Sequence, residues 1–230
     1  RPALGALLDL IRAARRSLRF QLLSYSIAGA AKGSTTWRLI DNALRAAALR
    51  GVKIDIIVSN WNTTRTDLPS LRALGAVPNV TLKIASIPPA SRGFIPYARV
   101  VHSKFMVVDN AILWLGTSNW SEKYFTASRN VELIFRRADL AAQANELFLR
   151  LWTSPYAEPI DPAKEYRPPR RTSAPTGSLQ PSAFSGQPEE DRRSSSSSGS
   201  ELKADRRPLT ALPESPASTA DSHRPSHRSC

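Results

Sequence analysis

The sequence has little cysteine, few histidines and no long apolar segment. Its one cysteine, Cys230, is the last of 230 residues, which excludes an intrachain disulfide framework and a metal site made of several cysteines. No apolar run approaches the roughly 18 residues that a membrane-spanning helix needs. Two of the three histidines, His223 and His227, alternate with Arg and Pro near the C-terminus, which is a poor arrangement for metal binding. Histidine chemistry in the rest of the chain therefore depends on His102.

Basic residues are in excess, and the formal net charge is +13 at neutral pH. Residues 1–163 hold 21 of the 32 Lys and Arg and 11 of the 19 Asp and Glu, which gives this region +10. A charge of this size favours polyanions, either nucleic acid or anionic lipid surfaces. It supports a class of ligand but says nothing about the reaction.

The hydrophobic pattern predicts alternating helices and strands over residues 1–162. Residues 3–16 have apolar side chains at helical spacing, whereas residues 52–58 are almost wholly apolar, as in a central strand. Further helices are predicted over 34–50, 67–75 and 139–154, and further strands over 17–26, 79–85, 100–108, 111–115 and 130–135. The predicted fold is α/β, with a mixed β-sheet sandwiched by helices.

The composition changes after residue 162. Residues 163–230 are rich in Pro, Ser and Arg and contain scarcely an aromatic residue. Such a segment cannot bury enough apolar surface to offset the entropy of folding, so we predict a disordered tail.

The stretch Val100–Asp109 places polar groups inside an apolar strand. His102 and Lys104 are two residues apart, so in a strand their side chains point to the same face. The neighbouring positions are apolar on both faces, which predicts a strand buried on both sides with His102 deep inside it. A buried ammonium is costly unless it is paired or meets an anion, so this pattern indicates an anionic ligand.

The residues that follow predict a hairpin. Asp109 falls at a turn, on the opposite face from Lys104, and residues 111–115 form the return strand. Gly116 is predicted to let the chain bend sharply, which brings Thr117, Ser118 and Asn119 beside the strand that carries His102.

The pattern His-x-Lys-x4-Asp-x6-Gly-Thr-x-Asn resembles the HKD motif of the phospholipase D superfamily. The flanking stretches Ile95–Arg99, Gly116–Ser121 and Leu151–Tyr156 resemble the C-terminal half of the endolysosomal phospholipase-D-like 5′-exonucleases. The resemblance covers about residues 1–162. It implies a phosphodiesterase that works without a metal or other cofactor, through attack of one histidine on phosphorus and a phosphohistidine intermediate.

The resemblance also implies roles for individual residues. His102 would be the nucleophile or the proton donor, and Lys104 and Asn119 would bind the phosphate oxygens, with Thr117 and Ser118 beside them. Glu132 would orient the histidine of a second half of the enzyme, although an edge carboxylate facing water is the alternative. Asp109 is placed with the catalytic set by its motif, but its position predicts that it fixes the hairpin.

Two other residues are candidate ligands of the substrate. Trp61 follows the predicted strand 52–58, where it could stack on a base or cover the core. Arg99 leads into the motif and could line an anion site or face solvent. Nucleic acid is the leading substrate, with a phospholipid as the alternative, and a catalytically incomplete phosphate-binding protein is a third possibility.

One motif supplies one histidine, whereas the mechanism needs two. A second half, either in a segment before Arg1 or in another copy of the chain, is therefore expected. The chain does not begin with methionine, and we expect a further segment there, which could also carry a membrane anchor. The resemblance suggests an endolysosomal or secretory lumen, and the glycosylation sequons at Asn62 and Asn79 suit such a compartment.

Overall fold

The computed structural model describes residues 2–30 and 36–169. A seven-stranded mixed sheet lies between helices, which confirms the predicted α/β class. The helices are α1 (Pro2–Ala13), α2 (Leu39–Leu49), α3 (Leu68–Gly75), α4 (Glu122–Thr126) and α5 (Ala138–Trp152). The strands are β1 (Ser17–Leu22), β2 (Lys53–Ser59), β3 (Val80–Ala85), β4 (Phe105–Val108), β5 (Ile112–Gly116), β6 (Glu132–Phe135) and β7 (Ala157–Pro159). The predicted tail from residue 170 onward lies outside the described residues.

The strand order is β6-β5-β4-β1-β2-β3-β7. Strands β1, β2 and β3 are parallel, and β4, β5, β6 and β7 each run antiparallel to a neighbour. Because β4 is antiparallel to β1, the start of β4 lies at the same sheet edge as the carboxyl ends of the three parallel strands. The end of β5 and the start of β6 reach that edge as well. This arrangement collects residues from six places in the sequence, and we call it the carboxyl edge.

Helices cover the two faces of the sheet unequally. On one face α1, α2 and α3 pack over the larger apolar core, which includes Phe20, Ile56 and Trp114. On the other face α5 packs over a smaller core through Ala141 and Phe148. The sheet is therefore the middle of three layers, as the sequence predicted.

The predicted strand over 100–108 is shorter in the structure and begins at Phe105. The reason lies in its neighbour, because β1 leaves the ladder after Leu22. The backbone of Ser24 accepts a hydrogen bond from the Trp120 N–H (3.2 Å), and the Ser26 N–H donates to the Trp120 carbonyl (2.9 Å). The continuation of β1 thus pairs with the segment after β5 and leaves residues 100–104 outside the sheet.

Ordered contacts continue beyond the predicted domain boundary at residue 162. The Lys164 carbonyl accepts a hydrogen bond from Arg72 Nη2 (2.6 Å), and the Tyr166 hydroxyl accepts one from the Asp161 N–H (2.9 Å). Tyr166 also packs against the larger core.

In the part of the chain that the structure describes, no helix has the length and apolar character to cross a bilayer.

Candidate phosphodiester site

His102 and Lys104 form the centre of the carboxyl edge. Lys104 Nζ lies 3.3 Å from His102 Nδ1 and 3.2 Å from Nε2, and it donates a 2.6 Å hydrogen bond to the His102 carbonyl. The Lys104 side chain is 5% exposed, whereas His102 is exposed. The prediction that His102 sits deep in a strand is therefore wrong, because the residue precedes β4 and lies where the sheet has ended.

Although His102 is exposed, neighbouring groups partly desolvate its ring, which lowers its pKa, and the positive charge of Lys104 lowers it further. Burial also lowers the pKa of Lys104. A lowered pKa keeps the imidazole neutral near neutral pH, and only a neutral imidazole has a lone pair with which to attack phosphorus. The pair is thus suited to combine a nucleophile with a cation that can hold an oxyanion.

Asn119 is buried at the same end of the sheet, in the segment after β5, and two partners fix its amide. Its Oδ1 accepts a hydrogen bond from the Ser24 N–H (3.2 Å), and its Nδ2 donates to the Tyr124 hydroxyl (2.9 Å). An amide nitrogen carries two protons, so one Nδ2 proton can still bind an anion. The sequence did not single out Ser24 or Tyr124, since their contacts span 95 and 5 residues and neither belongs to the motif.

Thr117 and Ser118 contact the segment that leads into β6. The Thr117 hydroxyl donates to Asn130 Oδ1 (3.0 Å) and accepts from the Val131 N–H (3.1 Å). The buried Ser118 hydroxyl donates to Glu132 Oε1. Both side chains therefore position the start of β6, and a contact of either with substrate stays a prediction.

Glu132 is held at the carboxyl edge in a partly buried environment. Burial raises its pKa, and the interactions with the Ser118 hydroxyl and the Trp114 indole oppose that rise. Its Oε2 is buried and has no hydrogen-bond partner among the described residues. The carboxylate is thus enclosed by its own chain at this edge, and the predicted role of orienting a second histidine stays a prediction.

Gly116 leaves room for two neighbouring side chains, which a larger residue would contact too closely. A Cβ there would lie 2.5 Å from Glu132 Oε2 and 2.7 Å from Trp114 Cζ2. The prediction from the sequence was that this glycine permits a sharp bend. The structure shows that it makes room for the Glu132 carboxylate and the Trp114 indole.

Asp109 lies at the opposite sheet edge, at the far end of β4. Its carboxylate accepts hydrogen bonds from the backbone N–H groups of Arg15 (3.0 Å), Arg16 (2.7 Å) and Ser17 (2.9 Å). Burial raises its pKa, but these bonds and the Arg16 charge outweigh that effect and lower the pKa. Asp109 thus anchors the β4–β5 turn to the connection between α1 and β1, and it is remote from His102.

Trp61 and Arg99 lie on the β2–β3 side of the carboxyl edge. Trp61 belongs to a 3₁₀ turn after β2 and is 8% exposed, so it covers the core while its ring also contacts Tyr97. Arg99 is exposed, and its Nε donates to the Pro88 carbonyl (2.8 Å). A contact of either side chain with substrate stays a prediction.

The two sequons differ in the structure. Asn62 is 1% exposed and binds the Tyr25 backbone through both its Oδ1 (2.8 Å) and its Nδ2 (3.1 Å). That side chain cannot carry a glycan in the folded chain. Asn79 lies at an exposed position before β3, and its Nδ2 donates a 3.1 Å hydrogen bond to the Ala48 carbonyl.

Metal ligands are not clustered at this site. The described residues contain no group of three or more His, Cys, Asp or Glu side chains that could hold a metal ion.

The chain is similar to proteins of a known family. The family described as "Cardiolipin synthase, PLD-like domain" matches residues 7–152. The chain belongs to the phospholipase D superfamily. Phospholipase D Y of Dictyostelium discoideum is 38% identical over 161 residues, which are 68% of this chain and 36% of that protein. The mouse 5′-3′ exonuclease PLD4 is 42% identical over 142 residues, which are 54% of this chain and 28% of that protein.

Solved structures share the fold. NucT from Helicobacter pylori superimposes with a TM-score of 0.57 at 24% identity, over 70% of this chain and 92% of that chain. Nuc from Salmonella typhimurium gives a TM-score of 0.54 at 21% identity, over 68% and 89% of the two chains. This chain therefore spans about a third of the length of the curated relatives it matches. It covers nearly the whole length of these two solved structures.

Proposed function

We propose that this chain is one half of a phosphodiesterase that cleaves single-stranded nucleic acid from an end through a phosphohistidine intermediate. The observation that carries the proposal is the contact between Lys104 Nζ and the His102 ring, at 3.2 to 3.3 Å. It joins a neutral nucleophile to a buried cation at a sheet edge where Asn119 has an amide proton to spare. Membership in the phospholipase D superfamily and the +10 charge of residues 1–163 support it.

In the proposed reaction the His102 imidazole attacks phosphorus, and the bond from phosphorus to the leaving oxygen breaks. Lys104 and Asn119 stabilise the charge on the phosphoryl oxygens. A second histidine, from the other half, donates its proton to the leaving oxygen. Water, deprotonated by that second histidine, then displaces the phosphoryl group from His102. The chain's own residues supply the nucleophile and the cation, and no metal or cofactor takes part in the proposed steps.

The second histidine requires another half-enzyme, because His102 is the one histidine in the described ranges 2–30 and 36–169. An apolar surface supports such a partner. Leu115 and Leu133 face each other in β5 and β6 and are 41% and 46% exposed on the side of the sheet that α5 covers. The partner is either another segment of the same protein or a second copy of this chain with the two His102 residues facing.

Sedimentation of the complete protein, with a phosphodiesterase assay on the same fractions, tests the need for two halves. Activity should coincide with a species that contains two motifs. Full activity in a monomer with one motif would contradict the two-histidine mechanism.

A phospholipid substrate is the second candidate, and the observation that favours it is the 38% identity to a protein named Phospholipase D Y. The two substrates are compared by incubating the complete protein with an end-labelled oligonucleotide and with a labelled phospholipid. We expect release of mononucleotides and no change in the lipid. Lipid turnover without nucleotide release would replace the first candidate by the second.

A catalytically incomplete phosphate-binding protein is the remaining alternative. It predicts that the His102→Ala variant has the same properties as the wild type, whereas the enzyme predicts loss of turnover with the fold preserved.

We further propose that the protein acts in an endolysosomal or secretory lumen, on the basis of the resemblance and of the exposed sequon at Asn79. Glycosidase treatment of the protein from its native source should increase its gel mobility. That change should disappear in the Asn79→Gln variant and persist in the Asn62→Gln variant if Asn79 carries the glycan.

A further inference from the structure

The connection between β3 and β4, residues 86–104, combines exposed aromatic side chains with positive charge. Phe94 is 45% exposed and Tyr97 62% exposed. The segment also contains Arg92, Arg99 and Lys104 and has no Asp or Glu. It runs directly into His102, so this surface adjoins the candidate phosphodiester site.

Tyr97 is braced by Trp61 from the neighbouring strand end. The two ring centroids are 6.0 Å apart with an interplanar angle of 59°. Because the rings are tilted and Trp61 is nearly buried, the contact supports Tyr97 while most of the tyrosine ring remains open to solvent. The Arg99 guanidinium is fixed on the same loop by its 2.8 Å hydrogen bond to the Pro88 carbonyl.

The backbone of this loop holds two residues in an unfavourable conformation. Tyr97 and Arg99 both have φ of 57°, in the left-handed region that costs a residue with a side chain about 1–2 kcal/mol. Such conformations persist where surrounding contacts enforce them, and they are concentrated at sites that bind or react. Here they place a tyrosine ring and a guanidinium outward, two residues apart.

We propose that Tyr97 and Arg99 form a nucleotide subsite next to the scissile phosphodiester. Tyr97, braced by Trp61, stacks on a base of single-stranded nucleic acid, and Arg99 binds a backbone phosphate adjacent to the one at His102. This inference rests on the proposed function and adds to it the residues that recognise the polymer. Aromatic faces interleaved with arginines are the arrangement by which proteins hold single strands.

The test compares two substrates of the complete protein: a short single-stranded oligonucleotide, and bis(p-nitrophenyl) phosphate, which has no nucleobase and no second phosphate. The quantity measured is the ratio of the two kcat/KM values. Loss of one stacked base should lower that ratio about ten-fold in Tyr97→Ala. Tyr97→Phe keeps the aromatic face, so its ratio should be close to that of the wild type. Arg99→Ala should lower the ratio and reduce the dependence of the ratio on salt concentration. Leu49→Ala, at another exposed apolar residue, is the matched control.

Each outcome separates this inference from the proposed function. A wild-type protein that cleaves the oligonucleotide, together with an unchanged ratio in Tyr97→Ala, would refute the subsite and leave the proposed function intact. A wild-type protein that cleaves only the nitrophenyl diester would refute the nucleic-acid function itself. Phosphatidylserine vesicles distinguish the remaining case: if Tyr97→Ala and Phe94→Ala weaken vesicle binding without changing the ratio, the loop is a lipid-binding surface and the subsite is overturned.

Discussion

The two ends of strand β4 carry parts of one motif but differ in exposure and in hydrogen bonding. At the carboxyl edge, His102 is exposed and Lys104 contacts its ring. At the other end, the Asp109 carboxylate accepts three backbone N–H groups. A side chain saturated with bonds from its own chain has little left for a substrate, whereas the His102 end has groups to offer. The comparison shows that Asp109 supports the fold, and it favours our proposal that the His102 end performs the chemistry.

The largest effect is expected from the His102→Ala variant. Removing the nucleophile should lower kcat by at least about a thousand-fold. The free energy of unfolding should change by less than about 0.5 kcal/mol, since the side chain is exposed. Steady-state kinetics and urea unfolding of the complete protein measure the two quantities. Ser103→Ala is the adjacent control, and it should retain turnover.

The Glu132→Gln variant tests the second carboxylate. If Glu132 orients the histidine of the other half, loss of its charge should lower kcat about 10- to 100-fold, as for other residues that orient a reactive group. Glu146→Gln, an exposed position on α5, is the control. A Glu132→Gln variant with normal kcat would show that this carboxylate only holds Ser118.

The Asp109→Asn variant should lose stability and keep its activity, whereas the His102→Ala variant should lose activity and keep its stability. Loss of the charge weakens three hydrogen bonds and should reduce the free energy of unfolding by about 1–3 kcal/mol, with activity per folded molecule retained. Urea unfolding measures the change, and Asp9→Asn, in an exposed ion pair on α1, is the control. Lost turnover in a stably folded Asp109→Asn variant would contradict the division between the two ends.

The contribution of Asp109 to the free energy of unfolding should depend on pH. The folded pKa of Asp109 is lowered, so its stabilisation is complete above the unfolded value of about 3.9 and is lost as pH falls through the folded pKa. The difference in stability between wild type and Asp109→Asn should therefore shrink at acidic pH. A difference that stays constant down to pH 2 would contradict this origin.

The smallest effect is a shift in the titration of His102. Its pKa is lowered by partial desolvation of the ring and by Lys104, so NMR of ¹³C-labelled histidine should show a midpoint below 6.5. The Lys104→Gln variant should bring that midpoint closer to 6.5, because one of the two causes is removed. Activity that depends on the neutral imidazole should fall as pH drops through this pKa. A wild-type midpoint above 6.5 would contradict the electrostatic account of the pair.

Much of this site was predictable because its residues are close in sequence. The spacing of His102 and Lys104, the turn at Asp109 and the return strand follow from strand geometry and turn chemistry. The position of Asp109 on the opposite face from Lys104 also indicated its structural role from the sequence alone. The alternation of strand-like and helical segments in the sequence predicted the α/β class and most of the helices and strands.

The remainder depends on contacts between distant segments. The exposure of His102 follows from β1 leaving the ladder to pair with Trp120, which the local pattern of residues 100–108 cannot reveal. The Asn119 amide is fixed by Ser24, and Gly116 is required by Glu132 and Trp114. Strand β7 pairs with the outer edge of β3 and is only three residues long, too short for a periodic signal.

The most direct test of the division between the two ends is to trap the covalent intermediate. The complete protein is mixed with an oligonucleotide, quenched with alkali, under which a phosphohistidine survives, and digested for mass spectrometry. A nucleotidyl adduct should appear on the peptide that contains His102, persist in Asp109→Asn and disappear in His102→Ala. Turnover at the normal rate in His102→Ala, or an adduct that requires Asp109 in a stably folded protein, would contradict the account.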